Sequence, residues 1–153
     1  MIKGIFLTVI ILLNAISTVN ISNSEYLETQ LGKLVMPEGF KVKVYASEVE
    51  NARSMAVSPS GTIFVGNRRA DNVFALKDTD GDNVIDKKYL ITDKLKNMPN
   101  GVAFFNGDLY VAEVNKIWVF RNIEENLEYI DKFGDYPEEP VLISEDYPSD
   151  RHH

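Results

Sequence analysis

Residues 99–120 read PNGVAFFNGDLYVAEVNKIWVF, and this stretch decides the fold. Gly101 to Phe105 is an apolar run, Asn106-Gly107 is a turn signal, and Asp108 to Val111 is a second run. A third follows at Lys116 to Phe120. Short β-branched and aromatic runs separated by Asn-Gly predict antiparallel strands joined by tight hairpins. The same order stands earlier in the chain. Ser54 to Val57 is a short apolar run, Ser58-Pro59-Ser60-Gly61 a turn, and Thr62 to Val65 and Asn72 to Leu76 are two further strands. Gly61 corresponds to Gly107, Val65 to Val111 and Phe74 to Trp118. Lys88 to Ile91 offers a fourth strand to the first group. A repeat of roughly 40 to 50 residues, with about four strands in each copy, is the pattern of a β-propeller blade. The fold class is therefore expected to be all-β, a partial β-propeller, with blades at about 50–92 and 97–144 and the start of a third at 150–153. An ordinary antiparallel meander or sandwich is the alternative.

Two blades do not make a ring, because propellers close with roughly four to eight. The chain is expected to be the front part of a longer protein, to assemble with copies of itself, or to pack its sheets in another way. Its end at Asp150-Arg151-His152-His153 reads as truncation.

Ahead of the repeat the pattern differs. Phe40 to Tyr45 alternates with period two and predicts a half-buried strand. Residues 18–35 read as a linker or short helix. Met1 to Lys3 is a short positive start, Gly4 to Leu13 an apolar run, and Ala15-Ile16-Ser17 a small-residue cleavage pattern. This predicts a secretory signal peptide over residues 1–17 and an exported protein, periplasmic or extracellular. The alternative is a retained anchor, the one route to a membrane in the sequence.

The 153 residues carry 23 acidic and 16 basic side chains, a net charge of −7 with no basic run. Nucleic-acid binding is disfavoured as the main activity. There is no cysteine, which excludes disulfides, thiolate metal sites and thiol nucleophiles.

Two groups of polar residues are candidates for chemistry. In the loop KDTDGDNVID, Asp78, Asp80, Asp82 and Asp86 occupy positions 1, 3, 5 and 9 of a calcium-type spacing. Asn83 stands where the helix-loop-helix calcium pattern has Gly, and Tyr89 where it has the bidentate Glu. Ca²⁺ binding and a plain hairpin tip both fit this loop. The second group comes from blade geometry, which brings the lead-in to each inner strand and the loop between second and third strands to one face. Arg53, Asn100 and His153, with Arg69 and Glu113, then gather at one funnel mouth. A His beside Arg and Asn suits hydroxyl chemistry. Solvated loop tips, turn chemistry at Asn100-Gly101 and a frayed terminus are the plainer readings.

Several stretches together resemble the sorbosone/soluble glucose dehydrogenase family. They are Met36-Pro37-Glu38-Gly39-Phe40 with the following KVKVYA, Ala52 to Gly66, the DTDGD loop, Pro99 to Phe104, Leu109 to Glu113, and Pro148 to His153. The resemblance covers residues 35–153. It implies a six-bladed propeller and an exported quinoprotein that oxidises a sugar or sugar-aldehyde hydroxyl with pyrroloquinoline quinone (PQQ) and calcium. It also implies a general-base role for His153, whose imidazole titrates near 6.5 when unperturbed. Arg53 and Asn100 join His153 as the catalytic candidates. The residues that grip the quinone in that family belong to later blades and have no counterpart here, so this chain is expected to be inactive alone. The alternative function is a small secreted β-repeat module that binds a protein or glycan partner without catalysis.

Overall fold

The computed structural model describes residues 23–148. The predicted signal peptide, the start of a third blade and His153 lie outside them. Among the described residues, no helix is long and apolar enough to cross a membrane.

After a short helix α1 (Asn23–Leu31), within the stretch expected to be linker or helix, the chain forms two four-stranded antiparallel sheets in sequence order. The first holds β1 (Ala52–Val57), β2 (Ile63–Asn67), β3 (Val73–Lys77) and β4 (Lys87–Thr92). The second holds β5 (Gly101–Phe105), β6 (Asp108–Ala112), β7 (Ile117–Phe120) and β8 (Val141–Ser144). The structure is thus mostly β, and the sheets do not join into a closed barrel.

The hairpins follow from their turn residues. Phe105 pairs with Asp108 across Asn106-Gly107, whose φ values of 50° and 88° are the left-handed conformations a two-residue hairpin turn requires. In the first sheet the same connection is longer, and Gly61, also at φ 88°, donates to the Ser58 carbonyl at 3.0 Å.

Strand alternation sets the packing. Ala56, Phe64, Ala75 and Tyr89 are directly paired across β1 to β4 and share one face. That face meets Val102, Phe104, Leu109, Val111, Trp118 and Phe120 of the second sheet in one core. Phe64 and Phe104 stack across the seam with centroids 5.5 Å apart. The helix α2 (Leu127–Phe133) adds buried Leu127 and Ile130 to this core and ends at Gly134, which takes the left-handed C-cap conformation at φ 78°.

Three elements depart from expectation. Phe40 to Tyr45 is not a strand. Its alternation is genuine, but no strand pairs with it, and an extended segment without a ladder partner is not a stable strand. Helix α2 and strand β8 were not anticipated, because LEYIDKF and VLIS are too short to announce themselves.

Candidate functional site

The lead-in segments of β1 and β5 correspond residue by residue. Asn51 and Met98 both adopt positive φ, 56° and 52°, and Arg53 and Asn100 each follow two residues later. The second lead-in is clamped to the first sheet. Asn67 N–H donates to the Pro99 carbonyl at 2.9 Å, and the Ser54 hydroxyl donates to the Asn100 carbonyl. Gly66 permits this approach, since a Cβ there would stand 2.4 Å from the Asn100 oxygen and 2.8 Å from that of Pro99. From the other side, Glu113 accepts from Asn97 N–H and Trp118 Nε1, each at 2.7 Å, and Val114 N–H donates to the Asn97 carbonyl at 3.0 Å.

The result is a cleft of about 330 Å³ lined by Arg53, Arg68, Met98, Asn100, Glu113 and Val114, with Gly101 and Ala112 between them. The expected grouping of Arg53, Asn100 and Glu113 at one mouth is present. Arg68, not Arg69, completes it. Either side chain of the Arg68-Arg69 pair had the same sequence signal, and the geometry of the loop after β2 decides between them. Among the described residues neither Arg53 nor Arg68 has a side-chain hydrogen-bond or ion-pair partner. Asn100 Oδ1 is a buried acceptor with no donor. Glu113 is already committed to holding the loop, so its carboxylate positions the cleft wall and is not free for acid–base work.

The acidic loop between β3 and β4 brings Asp78, Asp80 and Asp86 together, with oxygens within 4.8 Å of one another. Asp82 stands apart from this group and caps Val84 N–H at 2.7 Å. Three converging carboxylates are the donor type that holds a hard divalent cation. Each is also engaged locally. Asp78 accepts from Gly81 and Asn83 N–H at 2.7 and 2.8 Å, Asp80 from Asp82 N–H at 3.1 Å, and Asp86 from the Thr79 N–H and hydroxyl at 2.6 Å. Partial desolvation pushes the Asp78 pKa up, but the N–H donors outweigh it and hold the group below the usual carboxylate range. The Thr79 hydroxyl and N–H do the same for Asp86.

Residues 26–128 match the domain of unknown function DUF7133, which accounts for most of the chain. The chain belongs to the DUF7133 family. It is also similar to an uncharacterized protein of Borreliella burgdorferi, 29% identical over 113 residues. That match takes in 73% of this chain and 27% of the relative, so the chain spans about a quarter of the relative's length. No solved structure matches it. These matches correct the resemblance to the sorbosone/soluble glucose dehydrogenase family. Nothing among them indicates a quinoprotein sugar dehydrogenase. Of the motifs behind that resemblance, Ala52 to Gly66, Pro99 to Phe104 and Leu109 to Glu113 fall on strands and the turns between them. PQQ, sugar oxidation and the base role of His153 rested on the resemblance and lose that support with it.

Proposed function

We propose that the two sheets are neighbouring blades of a β-propeller and that the cleft between their lead-in ends binds an acidic carbohydrate. The blade reading is supported by two sheets of identical strand order, packed face to face, with corresponding lead-ins at Asn51 and Met98. Sheets arranged in this way present their lead-ins to a common centre.

The ligand class follows from what the cleft leaves unsatisfied. A guanidinium matches a carboxylate in a bidentate pair, and Arg53 and Arg68 are both open for one. A buried acceptor without a donor is costly, and a sugar hydroxyl supplies the donor that Asn100 Oδ1 lacks. Met98, Ala112 and Val114 offer apolar contact to the C–H face of a ring. The observation that carries the reading is the orphan Asn100 oxygen beside two unpaired arginines, in a chain whose net charge is −7. The signal-peptide pattern expected at residues 1–17 supports a place of action outside the cytoplasm.

Calorimetric titration with an oligouronate, against the neutral oligosaccharide of equal length, tests this. The oligouronate is expected to bind and the neutral chain to bind more weakly. Arg53→Ala and Arg68→Ala are each expected to weaken the uronate about tenfold, the worth of one charge-assisted hydrogen bond. Absence of heat with the oligouronate, or unchanged affinity in the double variant, overturns the reading.

A further inference from the structure

A second cavity, of about 450 Å³, shares no lining residue with the cleft. Its walls come from the end of β4 and the residues just after it, from β7, and from the segment that joins α2 to β8. Ile91, Leu95, Trp118, Phe120 and Tyr136 form its apolar side. The Phe120 and Tyr136 rings meet edge to face with centroids 5.2 Å apart, and the Tyr136 hydroxyl donates to the Arg121 carbonyl at 2.8 Å. Trp118 Nε1 is committed to Glu113 in the same way, at 2.7 Å. The aromatic wall is thus held in place, with both of its polar hydrogens already used. Pro137 and Pro140, whose rings fix φ, stiffen the segment that carries the rim.

Small-molecule pockets pair an apolar lining with a few polar groups that select the ligand. Here those groups are acidic. Asp135, Glu138 and Glu139 line the cavity against a single ammonium, that of Lys94. Lys94 is ion-paired with Asp135, so those two charges offset each other. Glu138 and Glu139 are exposed, and among the described residues neither side chain has a hydrogen-bond or ion-pair partner. Both charges reach the cavity wall. Burial first, and the charge of Glu138 next, push the Tyr136 pKa up. The Lys94 pKa is raised first by its bond to Asp135, and the charge of Glu139 adds to the rise. An anion entering this space would meet two unpaired carboxylates, and a neutral apolar molecule would leave both without a counter-charge. A cation on an apolar arm satisfies the two sides together. Aromatic faces also attract cations, and Trp118 already carries the Lys116 ammonium 5.7 Å from its ring centroid, outside the cavity lining. We propose that this cavity binds an organic ammonium ion that bears an aromatic or aliphatic arm, with the arm on the aromatic wall and the charge at Glu138 and Glu139. The site stands apart from the cleft, whose arginines select the opposite charge.

Trp118 is the one tryptophan of the chain, so its fluorescence reports directly on this cavity. Phenethylammonium serves as the probe, 2-phenylethanol as its uncharged isostere and phenylacetate as its anionic counterpart. The ammonium is expected to change the Trp118 emission saturably. The alcohol should bind about fivefold more weakly, the worth of one partly screened charge contact, and phenylacetate should give no saturable change. The double variant Glu138→Gln, Glu139→Gln should bring the ammonium down to the affinity of the alcohol. Lys94→Gln frees Asp135 and should tighten the ammonium about twofold. All three side chains are exposed, so circular dichroism should show both variants folded. No saturable change with the ammonium, equal affinity for ammonium and alcohol, or a double variant that binds the ammonium as the wild type does overturns the proposal. The double variant should bind the oligouronate with wild-type affinity, so this proposal and the cleft reading stand or fall separately.

Discussion

Two acidic groupings in this molecule are held in opposite ways, and the contrast separates architecture from local turn chemistry. At the seam, the Glu124 carboxylate accepts from the hydroxyl of Ser58 at 2.7 Å and from that of Ser60, reaching 66 and 64 residues back into the first sheet. In the loop between β3 and β4, Asp78, Asp80 and Asp86 accept only from residues within the same loop. Distant partners fix how two sheets sit together. Near partners fix the shape of one bend. Carboxylates of the same intrinsic chemistry thus carry different amounts of structure, and substitutions should rank accordingly.

The largest effect belongs to the apolar centre of the seam. Phe64 is fully buried and stacks on Phe104. Phe64→Ala removes that contact and leaves a cavity, with an expected loss of about 3–5 kcal/mol in urea unfolding. A loss near that of an average surface substitution would mean that the sheets do not share one core. Next comes Gly66→Ala. The added methyl meets the Asn100 and Pro99 carbonyls at 2.4 and 2.8 Å, both backbone atoms that can yield only if the β5 lead-in moves. A loss of about 1–3 kcal/mol is expected, the range for overpacking. Because that lead-in forms the cleft wall, oligouronate binding should weaken in the same variant while a control change at exposed Val84 leaves it intact.

Glu124 supplies the pH test of the comparison. Burial pushes its pKa up, but hydroxyl bonds from Ser60, Ser58 and Thr62 and the charge of Lys77 outweigh burial and hold it below the ordinary value. A carboxyl whose folded pKa is depressed binds fewer protons folded than unfolded. Its contribution is present above the unfolded value, near 4.3, and is lost as pH falls through the folded value. Glu124→Gln should therefore cost about 1 kcal/mol at neutral pH, a figure kept small by partial exposure. It should also flatten the acid limb of the stability curve below about pH 4.5. An acid limb identical in wild type and variant would remove Glu124 from the seam.

Much of the fold was legible because alternation and turn residues speak for themselves locally. The Gly101–Phe105 and Asp108–Ala112 hairpin follows from Asn106-Gly107, and Lys87–Thr92 follows from the Lys88–Ile91 run. The lead-ins were legible through their repetition, which put Arg53 and Asn100 at one mouth. Other features depend on distant partners and leave no local trace. Phe40 to Tyr45 has strand chemistry and no neighbour to pair with. The four residues of β8 are a strand only because β7 lies beside them. Arg68 was indistinguishable from Arg69 until the bend after β2 was known. The orphan state of Asn100 Oδ1 is a property of packing, with no sequence signature. The family likeness misled for the same reason that the fold was readable. Motifs such as SPSG and PNG report turns, and turns recur wherever strands repeat.

The smallest effect is expected in the acidic loop. Asp86 accepts from Thr79, and Asp78 from Gly81 and Asn83, all in a solvent-exposed bend. Asp86→Asn keeps an acceptor oxygen at the same position, so the turn should persist and the urea midpoint should be unchanged within error. The depressed pKa values of Asp78 and Asp86 place any contribution above the usual carboxylate range, lost on acidification, where water screens it. The same unfolding curves taken in calcium and in chelator complete the comparison. If calcium raises the wild-type midpoint and Asp86→Asn abolishes the rise, the three carboxylates act together on a cation, and the loop joins the seam as a structural anchor. If the midpoints coincide, the loop shapes one hairpin and no more, as its short-range hydrogen bonds imply.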